Sequence, residues 1–360
     1  MKILRIAAFA LVATAGIGLS IASVLPLVPS YIWWIRITDF PRLQSALLLV
    51  VLIALAACFV RRYRYASLSL MAVMLATLIY HAVILLPYAP LHGRLEDTDC
   101  APDQRLSVMV ANVRLSNDPD GRLIQQVRRY APDVLVVLEA NDQWLDALSP
   151  LEQAMPHTIT HTTGSYFGIA LYSRLPLHSS AVRHLAGQNT PQIVTEVELR
   201  TGEQIDFLGI HPRPPHPSQS ALGRDGVLLK AGLLLRDSDR PGVIAGDLNA
   251  TPWERAVTEM RKIARLVDPR RGYGYLPTYD AQSAWMRWPL DHVFYEAGFD
   301  VTELIRGDNF GSDHFPYVAR LCRVDRSNSE TVEATDADTL RDARQTIERA
   351  RAQSEQKSGG

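Results

Sequence analysis

Cysteine is scarce: three residues in 360, no two of them close enough to make a Cys-x-x-Cys pair. With H-E-x-x-H missing as well, the common zinc-hydrolase patterns are absent. No glycine-rich phosphate loop occurs, which disfavours a nucleotide-driven kinase or ATPase. GSYFG and SRLPL contain no G-x-S-x-G elbow, so a serine esterase lacks its best marker. Excess charge is lacking too. The 37 Lys and Arg face 38 Asp and Glu, a net charge of −1. That balance weighs against a dedicated duplex-DNA binder, which carries a basic footprint.

Charge is rarest at the start of the chain. Ile6–Val28 and Leu43–Val60 carry none, and Ser67–Leu91 is interrupted only by His81 and by prolines near its end. About 20 apolar residues cross the hydrocarbon core as a helix, so each run reads as a span, the second only just. Tyr31, Trp33 and Trp34 lie between the first two and suit an interfacial belt. Residues 1–92 thus read as a membrane region with three transmembrane helices. Placing Lys2, Arg5 and the Arg61, Arg62, Arg64 cluster on the cytoplasmic side puts everything after Leu91 outside. Arg36 and Arg42 then fall outside, a count against this orientation. A cleaved signal peptide competes for the first run, which is long for one and is closed by no small-x-small site.

After a polar connector over 93–104, short apolar runs alternate with helical patterns through 105–324. Strands are expected at Leu106–Asn112, Val134–Glu139, Gly168–Ser173, Ile193–Leu199, Ile205–His211, Val243–Asp247, Asp291–Tyr295 and Phe315–Leu321, where β-branched residues are bounded by Gly, Pro, Asn and Asp. Helices fit Gly121–Tyr130, Ser218–Arg236 and Trp253–Arg265, with apolar residues at three- and four-residue steps. This alternation means an α/β domain of sheets covered by helices. The tail, 325–360, is polar and reads as disordered or as a solvated helix from Ala337 to Gln353, with too few apolar residues to anchor a core. Cys58 falls inside the second span. Cys100 and Cys322 flank the first and last strands; they bond if those strands are antiparallel neighbours in an oxidising compartment, and otherwise stay free.

Carboxylates, asparagines and histidines recur at strand ends. Asn112 ends SVMVAN, Glu139 ends DVLVVLE, His211 ends DFLGIH, and Asp247 and Asn249 end VIAGDLN. Asp291 opens DHVFY, and Asp313 and His314 precede the final strand. Taken singly, an Asp or Asn after a strand is ordinarily a turn residue or a cap, and a lone His is packed or solvated. Glu139 resists that reading, because five apolar residues lead into it and leave its carboxylate at the core edge, in want of a cation. Asn112, Glu139 and Asp313 offer hard oxygens, suited to Mg²⁺ or Mn²⁺ rather than to zinc. Phosphate-ester hydrolysis needs an activated water, charge stabilisation on the phosphoryl oxygens and help for the leaving oxygen; the remaining residues are of the right kinds.

ANV at 111–113, DVLVVLE at 133–139, ALYSR at 170–174, GIHPRPP at 209–215, GDLNATPW at 246–253, LDHVF at 290–294 and SDHFP at 312–316 together resemble the motifs of the endonuclease/exonuclease/phosphatase superfamily, the deoxyribonuclease I-like proteins. The resemblance spans about residues 104–323, in the family's order, and its combination with N-terminal spans looks like membrane-bound bacterial members. It implies a four-layer α/β sandwich, two packed mixed sheets flanked by helices and preceded by transmembrane helices. It implies Asn112, Glu139 and Asp313 as metal residues, Glu139 foremost. Asp247 would then orient or deprotonate the attacking water, Asn249 contact the phosphate, His314 act on the phosphate, Asp291 fix the tautomer of His314, and His211 face the phosphate from the other side. In that fold the first and last strands are neighbours, which favours a Cys100–Cys322 bond.

The loop after His211, Pro-Arg-Pro-Pro-His-Pro, departs from the DNA-repair members; Arg213, His216 and Arg224 either read the substrate or serve a plain surface loop. Trp253 is expected in the site's floor and His292 in a structural role. The reading that results is a phosphoesterase of the bacterial inner membrane, multi-pass, with its catalytic domain extracytoplasmic. Its substrate would be a lipid head group, a small molecule or a nucleic acid, and no obligate protein partner is evident. An exported nuclease is one alternative, and an inert binding or scaffold protein that keeps the fold is another. A transporter with an accessory domain fits poorly, since the three spans lack internal charge.

Overall fold

The computed structural model describes residues 2–91, 100–187, 189–324 and 335–358. The expected connector over 93–104 and the start of the polar tail lie partly outside these. The chain divides into two compact units, one of helices near the N-terminus and one of mixed α and β structure.

The helical unit contains α1 (Lys2–Val24), the short α2 (Trp33–Arg36), α3 (Arg42–Ala57) and α4 (Arg64–Leu85). Val12, Leu49, Leu52, Ala56, Leu70 and Met74 form its interior. Gly16 lets α1 approach Met74 closely, since a Cβ there would lie 2.6 Å from the sulfur. Outward positions stay aliphatic: Leu11, Ile21, Val51 and Val83 are all exposed. Helices apolar on every side are stable only where something other than water covers them. α1 and α4 are long and apolar enough to cross a membrane. The expected middle span differs: α3 has only 16 residues, and it qualifies only together with the segment Trp33–Asp39, to which it is bent by 73°. Arg36 and Arg42, which counted against the expected orientation, are both buried and both pair with Asp39, Arg42 at 2.5 Å and Arg36 at 3.7 Å.

In the second unit, β1 (Arg105–Asn112), α5 (Arg122–Tyr130), β2 (Val134–Leu138), α6 (Asp142–Leu148), β3 (His157–His161), β4 (Ile169–Ser173), β5 (Leu177–Arg183), β6 (Gln192–Glu198) and β7 (Gln204–Gly209) come first. There follow α7 (Leu222–Arg236), β8 (Gly242–Asp247), α8 (Arg255–Ile263), β9 (Asp291–Tyr295), β10 (Phe299–Arg306), β11 (Tyr317–Arg323) and α9 (Ala337–Ser358). One sheet runs β10-β11-β1-β2-β4-β3, the other β5-β6-β7-β8-β9. Each is mixed: β1–β2 and β7–β8 are parallel, and the other neighbours are antiparallel.

Alternate residues of each central strand serve different layers, as the two-residue period of a strand requires. Val134, Val136 and Leu138 of β2 and Val243 and Ala245 of β8 fill the space between the sheets. Leu135 and Val137 face α5 and α6, while Ile244 faces α7 and α8. Both faces of these strands are therefore buried, and they read as unbroken apolar runs. The result is the expected four-layer sandwich. The strands absent from the sequence reading, β3, β5 and β10, are all edge strands.

Cys100 and Cys322 are disulfide-bonded, Cα to Cα 5.8 Å, beside the antiparallel pair Arg105–Cys322 of β1 and β11. The tail forms the helix expected from Ala337, but that helix is not wholly solvated. α9 buries Ala343, Ile347 and Ala350 in the same core as α7, and Gly226 of α7 leaves room for Ala350, since a Cβ there would approach it to 2.7 Å. Three small or apolar residues at four- and three-residue spacing are enough to seat one helical face.

Candidate active site

Ligands of α/β sheets collect outside the carboxyl ends of parallel strands, and this molecule has two such pairs. Asn112 is the last residue of β1 and Glu139 follows β2; His211 follows β7 by two residues and Asp247 is the last of β8. Asp291, the first residue of β9, pairs in register with Asp247. Two close backbone approaches hold these ends together. At Gly246 a Cβ would lie 1.9 Å from the Ile210 carbonyl oxygen, and at Gly168 a Cβ would lie 1.7 Å from that of Ala140. Only glycine fits either place.

The side chains converge. Asn112 donates from Nδ2 to Glu139 Oε1 (3.0 Å) and to Asp247 Oδ2 (3.1 Å), bridging the two sheets. The Leu115 amide donates to Glu139 Oε2 at 3.2 Å, and the Asn249 amide to Asp247 Oδ1 at 2.8 Å. His314 Nδ1 lies 2.7 Å from Asp291 Oδ2, and its Nε2 is 3.6 Å from Asp247 Oδ2. From the other side His211 Nε2 stands 3.8 Å from the same Asp247 oxygen. Ser312 Oγ donates to the Asn112 carbonyl at 2.7 Å and accepts from the His314 amide at 3.1 Å, which pins the SDH segment to the end of β1. Asp313 is partly exposed beside Arg114, 3.5 Å away, and close enough to Glu139 to act on its charge. All eight residues expected from the sequence are thus brought together at one place. Glu139, Arg114 and Asn249 there adopt left-handed φ of 61°, 57° and 49°, each at a cost on the order of 1–3 kcal/mol that the surrounding packing must offset.

Burial and neighbours drive the two histidines apart. For His314 burial opposes the charge, but Asp291 and Asp247 reverse this and hold the imidazolium up to about 10. Burial, reinforced by the charge on His314, pushes His211 down to about 3, so it is neutral. Burial raises Asp247 to about 7, with Asp291 adding to the effect while His314 and two donors oppose it. Glu139 is raised as well, by burial first and also by Asp313, against the pull of its amide donors and His314. Opposed shifts of this kind mark acid and base partners.

The chemistry of the donors fits a hard divalent cation next to Glu139. Its half-buried carboxylate accepts only amide hydrogens, and a second carboxylate, Asp313, adds negative charge beside it. Asn112 meets Glu139 with its amide nitrogen, while its oxygen accepts from the Arg114 amide at 3.0 Å. Asp247, Asp291 and His314 also bring ligand atoms within 4.8 Å of one another. A hydrogen bond between His314 Nδ1 and Asp291 Oδ2 already joins two of those side chains, an arrangement suited to proton handling.

Several neighbours carry no signal in the sequence. Thr278 Oγ1 accepts from the Asp291 amide at 3.1 Å, Gln192 Oε1 accepts from the His211 amide at 2.7 Å, and the Tyr279 ring lies 4.9 Å from that of His314. Each sits in a segment whose local pattern names no role. Arg224, a candidate substrate reader, is fully buried and pairs with Glu254 at 2.7 Å and Asp225 at 2.9 Å. It donates to the Asn249 carbonyl at 2.8 Å and so braces that loop from behind. Trp253 stacks on Tyr275, ring centroids 5.7 Å apart. Buried His292 bridges Arg270 and the Ala250 carbonyl.

Residues 109–314 match the model of the Endonuclease/Exonuclease/phosphatase family. Among solved structures, an endonuclease/exonuclease/phosphatase from Beutenbergia cavernae aligns with a TM-score of 0.50 at 22% identity, over 66% of this chain and 76% of that one. A D. rerio TDP2 humanized by 14 mutations gives 0.52 at 16%, over 61% and 99%. A functionally unknown conserved protein from Enterococcus faecalis gives 0.50 at 16%, over 61% and 100%. At such identities the likeness is one of fold. No curated protein matches the chain. The family match covers more than half of the chain and takes in all eight of these residues: the chain belongs to the Endonuclease/Exonuclease/phosphatase family, whose members are divalent-metal-dependent hydrolases of phosphoric esters.

Proposed function

We propose that this chain is a membrane-tethered phosphoesterase that uses Mg²⁺ or Mn²⁺ and hydrolyses a phosphodiester or phosphomonoester by attack of an activated water. The observation that carries this is the meeting of Asn112, Glu139, Asp247 and His314 through hydrogen bonds and ion pairs at the ends of two parallel strand pairs. Glu139 and Asp313 would hold the cation, with the Asn112 amide beside them. When bound, the ion neutralises charge on the phosphoryl oxygens. Asp247, held by Asn112 and the Asn249 amide, accepts the proton of the attacking water. The His314 imidazolium, fixed by Asp291, meets negative charge on the phosphoryl group, and neutral His211 faces the same group from the other side. Asn249 supplies an amide to the phosphate. As the water oxygen bonds to phosphorus, the ester oxygen departs with a proton returned from the site.

The tether rests on α1 and α4, with the bent α2–α3 segment as a third crossing, and on their aliphatic outer faces. The extracytoplasmic placement rests on the basic residues of the first unit and on the disulfide, a bond that persists in oxidising compartments. Alkaline phosphatase fused after Val324 should be active in a bacterial host; an inactive fusion, with activity from a fusion after Tyr63, overturns the orientation. For the chemistry, the full chain in detergent is given bis-p-nitrophenyl phosphate with Mg²⁺. EDTA should abolish hydrolysis, and Glu139→Ala should lower it by about a thousandfold, the scale of losing one catalytic element. Hydrolysis that survives both changes sinks the reading.

A further inference from the structure

Of the three side chains around the loop after His211 that the sequence offered as substrate readers, one remains free to do so. Arg224 is buried in its ion pairs with Glu254 and Asp225. His216 engages Ser218 Oγ through Nδ1 at 3.0 Å. Arg213 is half-buried, and its Cζ lies 4.5 Å from the centroid of the Phe167 ring. That ring in turn lies 5.8 Å from the imidazole of His211. Among the described residues no carboxylate pairs with Arg213. The other arginine at the cleft, Arg114, faces Asp313 at 3.5 Å.

A guanidinium laid on an aromatic face keeps its N–H fork available in its own plane, where it matches the oxygens of a phosphate. Pro212 and Pro214 fix the backbone on both sides, so little ordering is required when an anion arrives. The reaction centre itself is rich in carboxylate: Glu139, Asp247, Asp291 and Asp313. A substrate with two phosphates meets repulsion there unless a cation stands by the second.

We propose that Arg213, seated on Phe167, forms an anion subsite next to the reaction centre and selects substrates that carry a second phosphate near the ester to be cleaved. The proposal rests on the phosphoesterase reading above. The neighbouring phosphate of a nucleic acid and the phosphorylated headgroup of a lipid share this chemistry.

The test uses the full chain in detergent with Mg²⁺ and two matched pairs of substrates. Thymidine 5′-(p-nitrophenyl phosphate) is compared with its 3′-phosphorylated form, and phosphatidylinositol with phosphatidylinositol 4-phosphate in mixed micelles. In one series the second phosphate should raise kcat/KM by about tenfold, the scale of one charge-assisted hydrogen bond. R213Q should bring that ratio close to one and F167L should lower it, while R213K keeps part of it. The series that shows the effect identifies the source of the phosphate. No preference in either series, or a preference that R213Q and F167L both leave intact, overturns the subsite. If the wild-type chain hydrolyses neither these substrates nor bis-p-nitrophenyl phosphate, the phosphoesterase reading falls and takes the subsite with it.

Discussion

The two sheets bring different chemistry to the same cleft. At the ends of β1 and β2, Glu139 accepts only from amide donors and has another carboxylate, Asp313, beside it, with Arg114 on the far side of Asp313. At the ends of β7 and β8 and the start of β9, Asp247 and Asp291 have histidines within 3.8 Å, so that half holds its own cation in His314 and a neutral imidazole in His211. Identical scaffolding, a side chain at the end of a parallel strand, thus sets a carboxylate among amide donors on one side and carboxylates among histidines on the other. Asn112 hydrogen-bonds to both halves, so its loss should disturb the two together.

The largest effects should separate the halves. Asp247→Asn should lower kcat by about a thousandfold, within the range of general-base losses, yet leave Mn²⁺ affinity within a few-fold. Glu139→Gln should instead weaken Mn²⁺ binding, as read by calorimetry, and regain some activity as the ion is raised. If the two variants bind the ion equally badly, the division is wrong. A smaller loss, about a hundredfold in kcat with KM little changed, is expected of Asp291→Asn, since it acts by holding the tautomer and charge of His314. Equal losses in kcat and in substrate affinity would place Asp291 in binding instead.

Gly246→Ala tests the seam between β7 and β8 rather than either set of groups. A Cβ 1.9 Å from the Ile210 carbonyl oxygen forces the backbone to move, and a loss of about 3 kcal/mol by denaturant unfolding is expected, at the large end for single changes. The smallest effect serves as a control outside both halves. Burial raises Glu296, just past β9, to about 7 from an ordinary value of 4.5. A carboxyl raised on folding favours the folded state while it is protonated, and that contribution is lost as pH rises through 7. Glu296→Gln should therefore be more stable than the wild type at pH 8, by roughly 1 kcal/mol after allowance for its partial exposure, and indistinguishable from it below pH 4.5. Equal melting curves at pH 8 would mean that the buried carboxylate is compensated.

Central strands could be read from the sequence because both of their faces are buried. DVLVVLE and VIAGD are apolar without interruption and end in the residues that matter. The edge strands were not legible. β3 alternates half-buried and exposed positions in HTITH, and β5 runs through LHSSAVR with no sustained apolar face. The eight cleft residues could be found because each follows or precedes a buried run. Ser312, Thr278 and Gln192 act through backbone contacts that depend on tertiary closure, which no local pattern encodes. The helix of the tail was legible, but its burial was not, for a related reason: Ala343, Ile347 and Ala350 look too sparse for a core until Gly226 supplies a hollow for one of them.

The bond between Cys100 and Cys322 also decides how the catalytic unit bears load. A pull on the chain ahead of Cys100 would divide there, between the backbone leading to β1 and the sulfur bond to β11. These two strands lie side by side with β10 and β2 outside them, so the force must shear a paired ladder instead of peeling a loose edge. Asn112, at the opposite end of β1, stands away from that point of attachment. Load that enters at the disulfide is thus spread over two paired strands, at the far end of β1 from the reacting groups.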